Sequence, residues 1–230
     1  MAKNTFDNNE VEITGRVNNA LTFSHEVYGE GFYSFMLEVP RLSDVADNIP
    51  IMVSERLLKD FTLQAGDEME VQGQFRSYNN YSDKGNKLIL TVFARDIKFL
   101  DENKKVKNPN YIYLNGYICK SPIYRTTPFG REICDVLLAV NRAYNKSDYI
   151  PCIAWGRNAR YCGTLEVGAN IKIWGRIQSR AYQKRISEED TVNKIAYEVS
   201  ISKMEVANKD EEDEDEKDLI YGYEDENEEG

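Results

Sequence analysis

The residues of this 230-residue chain best suited to chemistry are flat aromatics set among cations. Along residues 150–155, Ile150, Cys152 and Ala154 fall on one strand parity, and Ile153, Trp155 and then Arg157 on the other. Trp155 therefore points away from an apolar face. Along residues 171–178, Ile171, Ile173, Gly175 and Ile177 share a face, leaving Lys172, Trp174, Arg176 and Gln178 opposite. Bases stack on flat side chains while cations follow the phosphate backbone, so such faces suit single-stranded nucleic acid. The same parity suits a tryptophan at a subunit interface, the reading that Trp174 favours.

Two further segments carry the same mixture. Residues 120–131 hold Tyr124, Arg125, Phe129 and Arg131 around Pro122 and Pro128, in a stretch expected to be a loop. Residues 180–185 hold Arg180, Tyr182, Lys184 and Arg185, expected in a loop before the last strand, with Glu188, Glu189 and Asp190 behind them. An exposed, charge-balanced hairpin tip is the alternative there. Other chemistry is poorly served. Cys119, Cys134, Cys152 and Cys162 lie 15, 18 and 10 residues apart, without a paired metal-ligand spacing, and His25 is the single histidine. Cys134 and Cys152, inside apolar runs, read as small buried residues. No Gly-x-x-x-x-Gly-Lys loop occurs, and the chain is expected to be no enzyme, with no metal and no cofactor.

The elements that position these residues follow from an internal repeat. Gly15 and Gly116, Val39 and Val140, Arg41 and Arg142, and Pro50 and Pro151 are each 101 residues apart. The offset then becomes 102, pairing Leu63 with Leu165, Gly66 with Gly168, Gly73 with Gly175 and Ser77 with Ser179. Such a period means two copies of one domain. In the second copy, residues 111–118, 132–140, 149–155, 169–178 and 194–202 read as five strands rich in β-branched and aromatic residues. A short helix fits residues 157–165, and another fits 54–64 in the first copy with Ser54 as its cap. Five strands with a helix between the third and fourth is the order of an OB-fold. The predicted architecture is all-β: a first OB-fold over 1–103, a linker over 104–110, a second OB-fold over 111–207 and an acidic tail over 208–230.

Charge divides along the same lines. The net charge of −10 hides a first copy (1–109) at −4, a second (110–207) at +5 and a tail at −11, so only the second copy carries the cationic excess that phosphate binding needs. In the first copy the position of Trp155 falls near Val53 and Ser54, which reads as a degenerate binding surface. Its best candidates are Arg41, Arg76, Tyr78, Tyr81 and Lys84, while Phe32, Tyr33 and Phe35 read as packing. The polar first ten residues show no signal pattern, and no apolar stretch approaches the ~20 residues of a membrane span.

The second copy resembles the bacterial single-stranded DNA-binding protein family. The resemblance is carried by residues 114–125, by 136–142, by 150–156 and by 167–177 with its Trp174 and Gly175. It implies base-stacking aromatics at Tyr144, Tyr149, Trp155 and Tyr182 and phosphate contacts near Arg125, Arg157 and Arg180. It implies single-stranded DNA as partner in replication, recombination and repair, a homodimer supplying four OB-folds, and a cytoplasmic, nucleoid-associated place with no membrane partner. The family's acidic tail ends in an apolar tip containing Pro-Phe, by which it recruits replication and repair proteins. Here the only apolar element of the tail is Leu219, Ile220, Tyr221 and Tyr223, inside the acidic run. Alternatives are an OB-fold protein-interaction module and a replication-restart or RNA-binding module, since no residue pattern reports on a 2′-hydroxyl.

A segment of −11 beside a domain of +5 competes with phosphate for the same cations. Deleting residues 208–230 is expected to tighten oligonucleotide binding, most visibly at low salt where screening is weakest. Equal affinities of full-length and truncated chains in a low-salt titration would remove this competition.

Overall fold

The computed structural model describes residues 8–207 except 42, 44, 60–61, 83–84, 101–105 and 186–190, with the backbone alone for 80–82, 85–87, 184 and 185. Lys84, the side chains of Tyr81 and Lys184, the acids at 188–190, most of the linker and the tail with Leu219, Ile220, Tyr221 and Tyr223 lie outside the described residues. The first copy builds β1 (Asn9–Val17), β2 (Thr22–Val27), β3 (Glu30–Pro40), β4 (Ala46–Ser54), α1 (Glu55–Leu58), β5 (Glu68–Ser82) and β6 (Gly85–Phe99). The second builds β7 (Asn110–Ile118), β8 (Ile123–Thr126), β9 (Glu132–Arg142), β10 (Lys146–Trp155), α2 (Arg157–Cys162), β11 (Asn170–Arg185) and β12 (Thr191–Val206).

In each copy five strands close on themselves. β1 pairs with both β3 and β5, β3 with β4, β5 with β6, and β4 runs parallel to β6. β7, β9, β10, β12 and β11 repeat the circuit, with β10 parallel to β12. This is the OB-fold, twice. Alternation drives it: in β10, Ile150, Cys152 and Ala154 are buried, and in β11, Ile171, Ile173 and Ile177 are fully buried, as their parity predicts. The paired glycines Gly73 and Gly175 sit where β5 and β11 shift register. A Cβ there would lie 2.2 Å from the carbonyl oxygen of Phe93 or Ser200, so only glycine lets the long strands bend across their partners.

The structure departs from the sequence reading in three places. Residues 120–131 are not all loop, since β8 pairs with β9 inside them, and β2 pairs with β3 likewise. Arg180, Tyr182, Lys184 and Arg185 are not in a loop but on β11, whose pairing with β12 continues to Arg185 opposite Thr191. Backbone pairing of a solvated ribbon does not need an apolar face. The helices are shorter than expected. Ser54 caps α1 by accepting from Arg56 N at 3.1 Å, while α2 stops at Gly163.

The two barrels join edge to edge through antiparallel pairing of β1 with β7, from Asn9 opposite Leu114 to Ile13 opposite Asn110. A reciprocal polar clasp flanks this seam. Arg41 donates from Nε and Nη2 to Asp47 at 2.7 and 2.6 Å, and Asp47 accepts from Ser179 N and Oγ at 2.7 and 2.9 Å. On the other side, Asp148 accepts from Ser77 N at 2.7 Å, while Arg142 Nε stands off at 3.5 Å. The repeat of Arg41 with Arg142 and of Ser77 with Ser179 is thus the repeat of a clasp in which each barrel's Arg–Asp pair grips the other barrel's serine.

The two carboxylates differ electrostatically. Burial pushes Asp47 up, but the bonds from Arg41 and Ser179 outweigh it and hold the carboxyl below its ordinary value. Burial dominates at Asp148 and leaves it raised despite Ser77 and Arg142. Asp47 therefore stabilises the fold above the unfolded-state carboxylate pKa and loses that contribution as pH falls through its lowered folded value. For Asp148 the sign reverses, its contribution being lost as pH rises through the raised value. At neutral pH, Asp47→Asn should cost about 2–3 kcal/mol by removing the charge that Arg41 bonds, and Asp148→Asn under about 1 kcal/mol. Urea denaturation of both variants checks the order, and equal losses would refute it.

Candidate nucleic-acid interface

One continuous face of the second barrel gathers several of the expected residues. Trp155, the last residue of β10, is 38% exposed, and its indole N–H donates to Ser200 Oγ on β12 at 3.1 Å. Ser200 lies opposite Arg176 on β11, and beyond it Glu198, Ala196 and Lys194 lie opposite Gln178, Arg180 and Tyr182. Directly opposite residues share a face, so Trp155, Arg176, Arg180 and Tyr182 follow one another along it. The Arg180 guanidinium stands 5.9 Å from the centre of the exposed Tyr182 ring. Glu198 is the acid in this row. It is nearly buried, accepts from Gln178 at 2.8 Å, and lies 3.9 Å from Arg180, which remains exposed. Burial, together with Arg41 nearby, lowers the pKa of half-buried Arg176.

Other expected residues flank this face. Arg157 is exposed at the start of α2, directly after Gly156, whose φ of +54° turns the chain away from Trp155. Arg125 on β8 pairs with Asp135 at 2.9 Å, Tyr124 donates to Glu132 at 2.6 Å, and Phe129 and Arg131 are exposed at the β8–β9 turn. At the other end of β10, about 20 Å along the strand from Trp155, Tyr149 is exposed and its N–H donates to Ser77 Oγ at 2.7 Å. Tyr144, at φ +61° in the β9–β10 turn with Asn145 at +54°, is 94% exposed. That pair of left-handed residues makes the tight hairpin turn that holds the ring out.

Some candidates are placed elsewhere. Trp174 packs against Tyr113 at 5.2 Å, hydrogen bonds Tyr111, and lies under Lys203, whose Nζ is 4.3 Å from the ring centre. Arg41 is committed to the seam, donating also to the carbonyl of Ser179 at 3.1 Å, and so is not an open cation. The thiols of Cys152 and Cys162 are raised by burial, the latter to about 12, and stay protonated at neutral pH.

The first barrel presents outer-face aromatics, of which the sequence assigns Phe32 to packing and gives His25 and Phe93 no binding role. His25 on β2 stacks on Phe32 of β3 with ring centres 5.1 Å apart and planes 12° apart. Phe32 meets Phe93 of β6 at 5.8 Å, and the Arg76 guanidinium of β5 lies 4.6 Å over Phe93. Phe35 is buried and Tyr33 packs on the core, as expected, but Phe32 and Phe93 are half-buried on the outer face. Strand parity was the available signal, because Leu90, Val92 and Ala94 are buried and leave Phe93 on the opposite side.

The outer face of the second barrel falls within residues 109–207, which match the model of the single-strand binding protein family. Over 83 residues the chain is 35% identical to "Single-stranded DNA-binding protein 1" of Staphylococcus aureus (strain COL), covering 33% of this chain and 50% of that one. Over 93 residues it is 30% identical to "Single-stranded DNA-binding protein A" of Bacillus subtilis (strain 168), covering 37% and 54%. The chain thus spans about half the length of these relatives. A crystal structure of a deletion mutant of the single-stranded DNA binding protein from Thermus aquaticus superposes with a TM-score of 0.71 at 18% identity. The match covers 87% of this chain and 95% of that one and so extends over both barrels, as a likeness of fold.

Proposed function

We infer that the chain belongs, through residues 109–207, to the single-strand binding protein family, whose model those residues match. Its second barrel binds single-stranded DNA without catalysis and with little sequence preference, coating and protecting the strand in replication, recombination and repair. The observation that supports this most directly is the row of Trp155, Arg176, Arg180 and Tyr182 on one face, alternating stacking surfaces with cations. Tyr149 and Tyr144 extend the surface along β10 toward the first barrel, while Arg125, Arg131, Arg157 and Lys184 supply flanking charge. The tail around Leu219, Ile220, Tyr221 and Tyr223 serves as an attachment for replication or repair proteins.

Assembly belongs to the same proposal. Two chains supply four barrels, and Trp174, set against Tyr113 and Lys203 near the seam, suits contact with a second copy better than a base. The site of action is the cytoplasm, at the nucleoid.

Each stacked base contributes ~1–3 kcal/mol, so Trp155→Ala should weaken oligo-dT binding by about tenfold or more. Trp155 and Trp174 are the only tryptophans, and quenching on titration should depend on Trp155, with affinity falling as salt rises. Full affinity in Trp155→Ala would place the strand elsewhere. Absence of any binding would turn the barrels into a protein-interaction module, and preference for oligo-U over oligo-dT would turn them into an RNA-binding one.

A further inference from the structure

A cleft between the barrels, about 390 Å³ in volume, is lined by four cations. Its wall brings together Arg76 and Arg95 from the first barrel with Arg142 and Lys146 from the second. The nearby acid, Asp148, is fully buried and already engaged with Ser77. Arg76 Nε is buried without a hydrogen-bond partner, while Nη2 donates to Gln74 Oε1 at 2.8 Å. Burial first, then the like charges of Arg142 and Arg95, depress the Arg76 pKa, with Asp148 opposing them. Tyr144 lines it as well. From the cleft, Arg76 begins the column Arg76–Phe93–Phe32–His25 that crosses β5, β6, β3 and β2.

This column occupies the face that corresponds to the Trp155 face. Gln74 lies opposite Phe93 as Arg176 lies opposite Ser200, and Gln74 and Arg176 are equivalent through the 102-residue offset. In the second barrel the large ring is Trp155, bonded to the small Ser200. In the first, the small residue is Ser54, engaged with Glu30, and the large ring is Phe93. The aromatic has moved one strand over and the face has kept it.

We propose that the cleft binds the phosphodiester backbone of a single strand leaving the second barrel and leads it onto the His25–Phe32–Phe93 column, where its bases stack. This rests on the second barrel binding single-stranded DNA, and the two readings have separate reporters. Both tryptophans lie in the second barrel, and the single histidine lies on the first. Oligo-dT of about 8 nucleotides matches one barrel and about 30 nucleotides reaches both.

The test titrates both lengths into the full chain carrying isotope-labelled histidine, following tryptophan fluorescence and the His25 ring resonances. The long oligonucleotide should quench the tryptophans and shift His25, whereas the short one should only quench. Arg95→Glu with Lys146→Glu, both at exposed positions, should weaken long-oligonucleotide binding about tenfold and leave the short one unchanged. The double variant should also make the salt slope shallower by about 1.4, two phosphates at ~0.7 each. Phe93→Leu should remove the His25 shift while keeping the quenching. Quenching with an unmoved His25 overturns the proposal and leaves the function intact, while no quenching at either length removes the function itself. An equal loss for both lengths in the double variant assigns the cleft to an acidic segment such as 208–230 and also overturns it.

Discussion

The pairing of β1 with β7 is the constraint on which the rest depends. Each barrel closes on its own, so joining them requires an edge that both can spare, and β1 and β7 lend their outer hydrogen bonds to each other. Side chains then tie the join to each barrel. Asn9 bonds both ways to the backbone of Phe75, and Asn110 to that of Ile177, each within its own barrel at 2.7–2.9 Å, while the two Arg–Asp pairs reach across to Ser179 and Ser77. Because the seam is pseudo-symmetric, it sets the outer faces of the two barrels in equivalent relation to it.

The clasp is symmetric in residues and unequal in energy. Arg41 makes two short bonds to Asp47, so the pair is neutral and satisfied where it is buried. Arg142 is held off from Asp148 and faces the cleft shared with Arg76 and Arg95. The same sequence pattern thus makes a closed joint on one side and an open cationic cleft on the other.

Much of this was legible in the sequence. The repeat of glycines and of Arg41 with Arg142 and Ser77 with Ser179 reported two copies, and apolar parity correctly separated the buried Ile150, Cys152 and Ala154 from Trp155. Hairpin length was not legible, because β8 and the far ends of β11 and β12 are held by backbone pairing that polar side chains do not reveal. Nor was the fate of Arg41. Its partner Ser179 is 138 residues away, and nothing local distinguishes a clasped arginine from an open one.

The first copy shows why position-by-position comparison of repeats underestimates a surface. Ser54 stands where Trp155 stands, which by itself argues for a lost stacking site. Yet a barrel face is a two-dimensional array in which β-strand neighbours lie about 5 Å apart, so a ring on β6 covers nearly the same area as one on β4. Phe93 and Phe32 fill the space beside Ser54, and Arg76 covers Phe93 much as Arg180 approaches Tyr182. What two diverged copies have in common is therefore better sought in the composition of a face than in the identity of any one position on it. The net charge of the first copy misleads for the same reason. Its acids include Glu10, Glu12 and Glu70 on strands near the seam, while Arg76 and Arg95 stand together in the cleft, where a strand would pass.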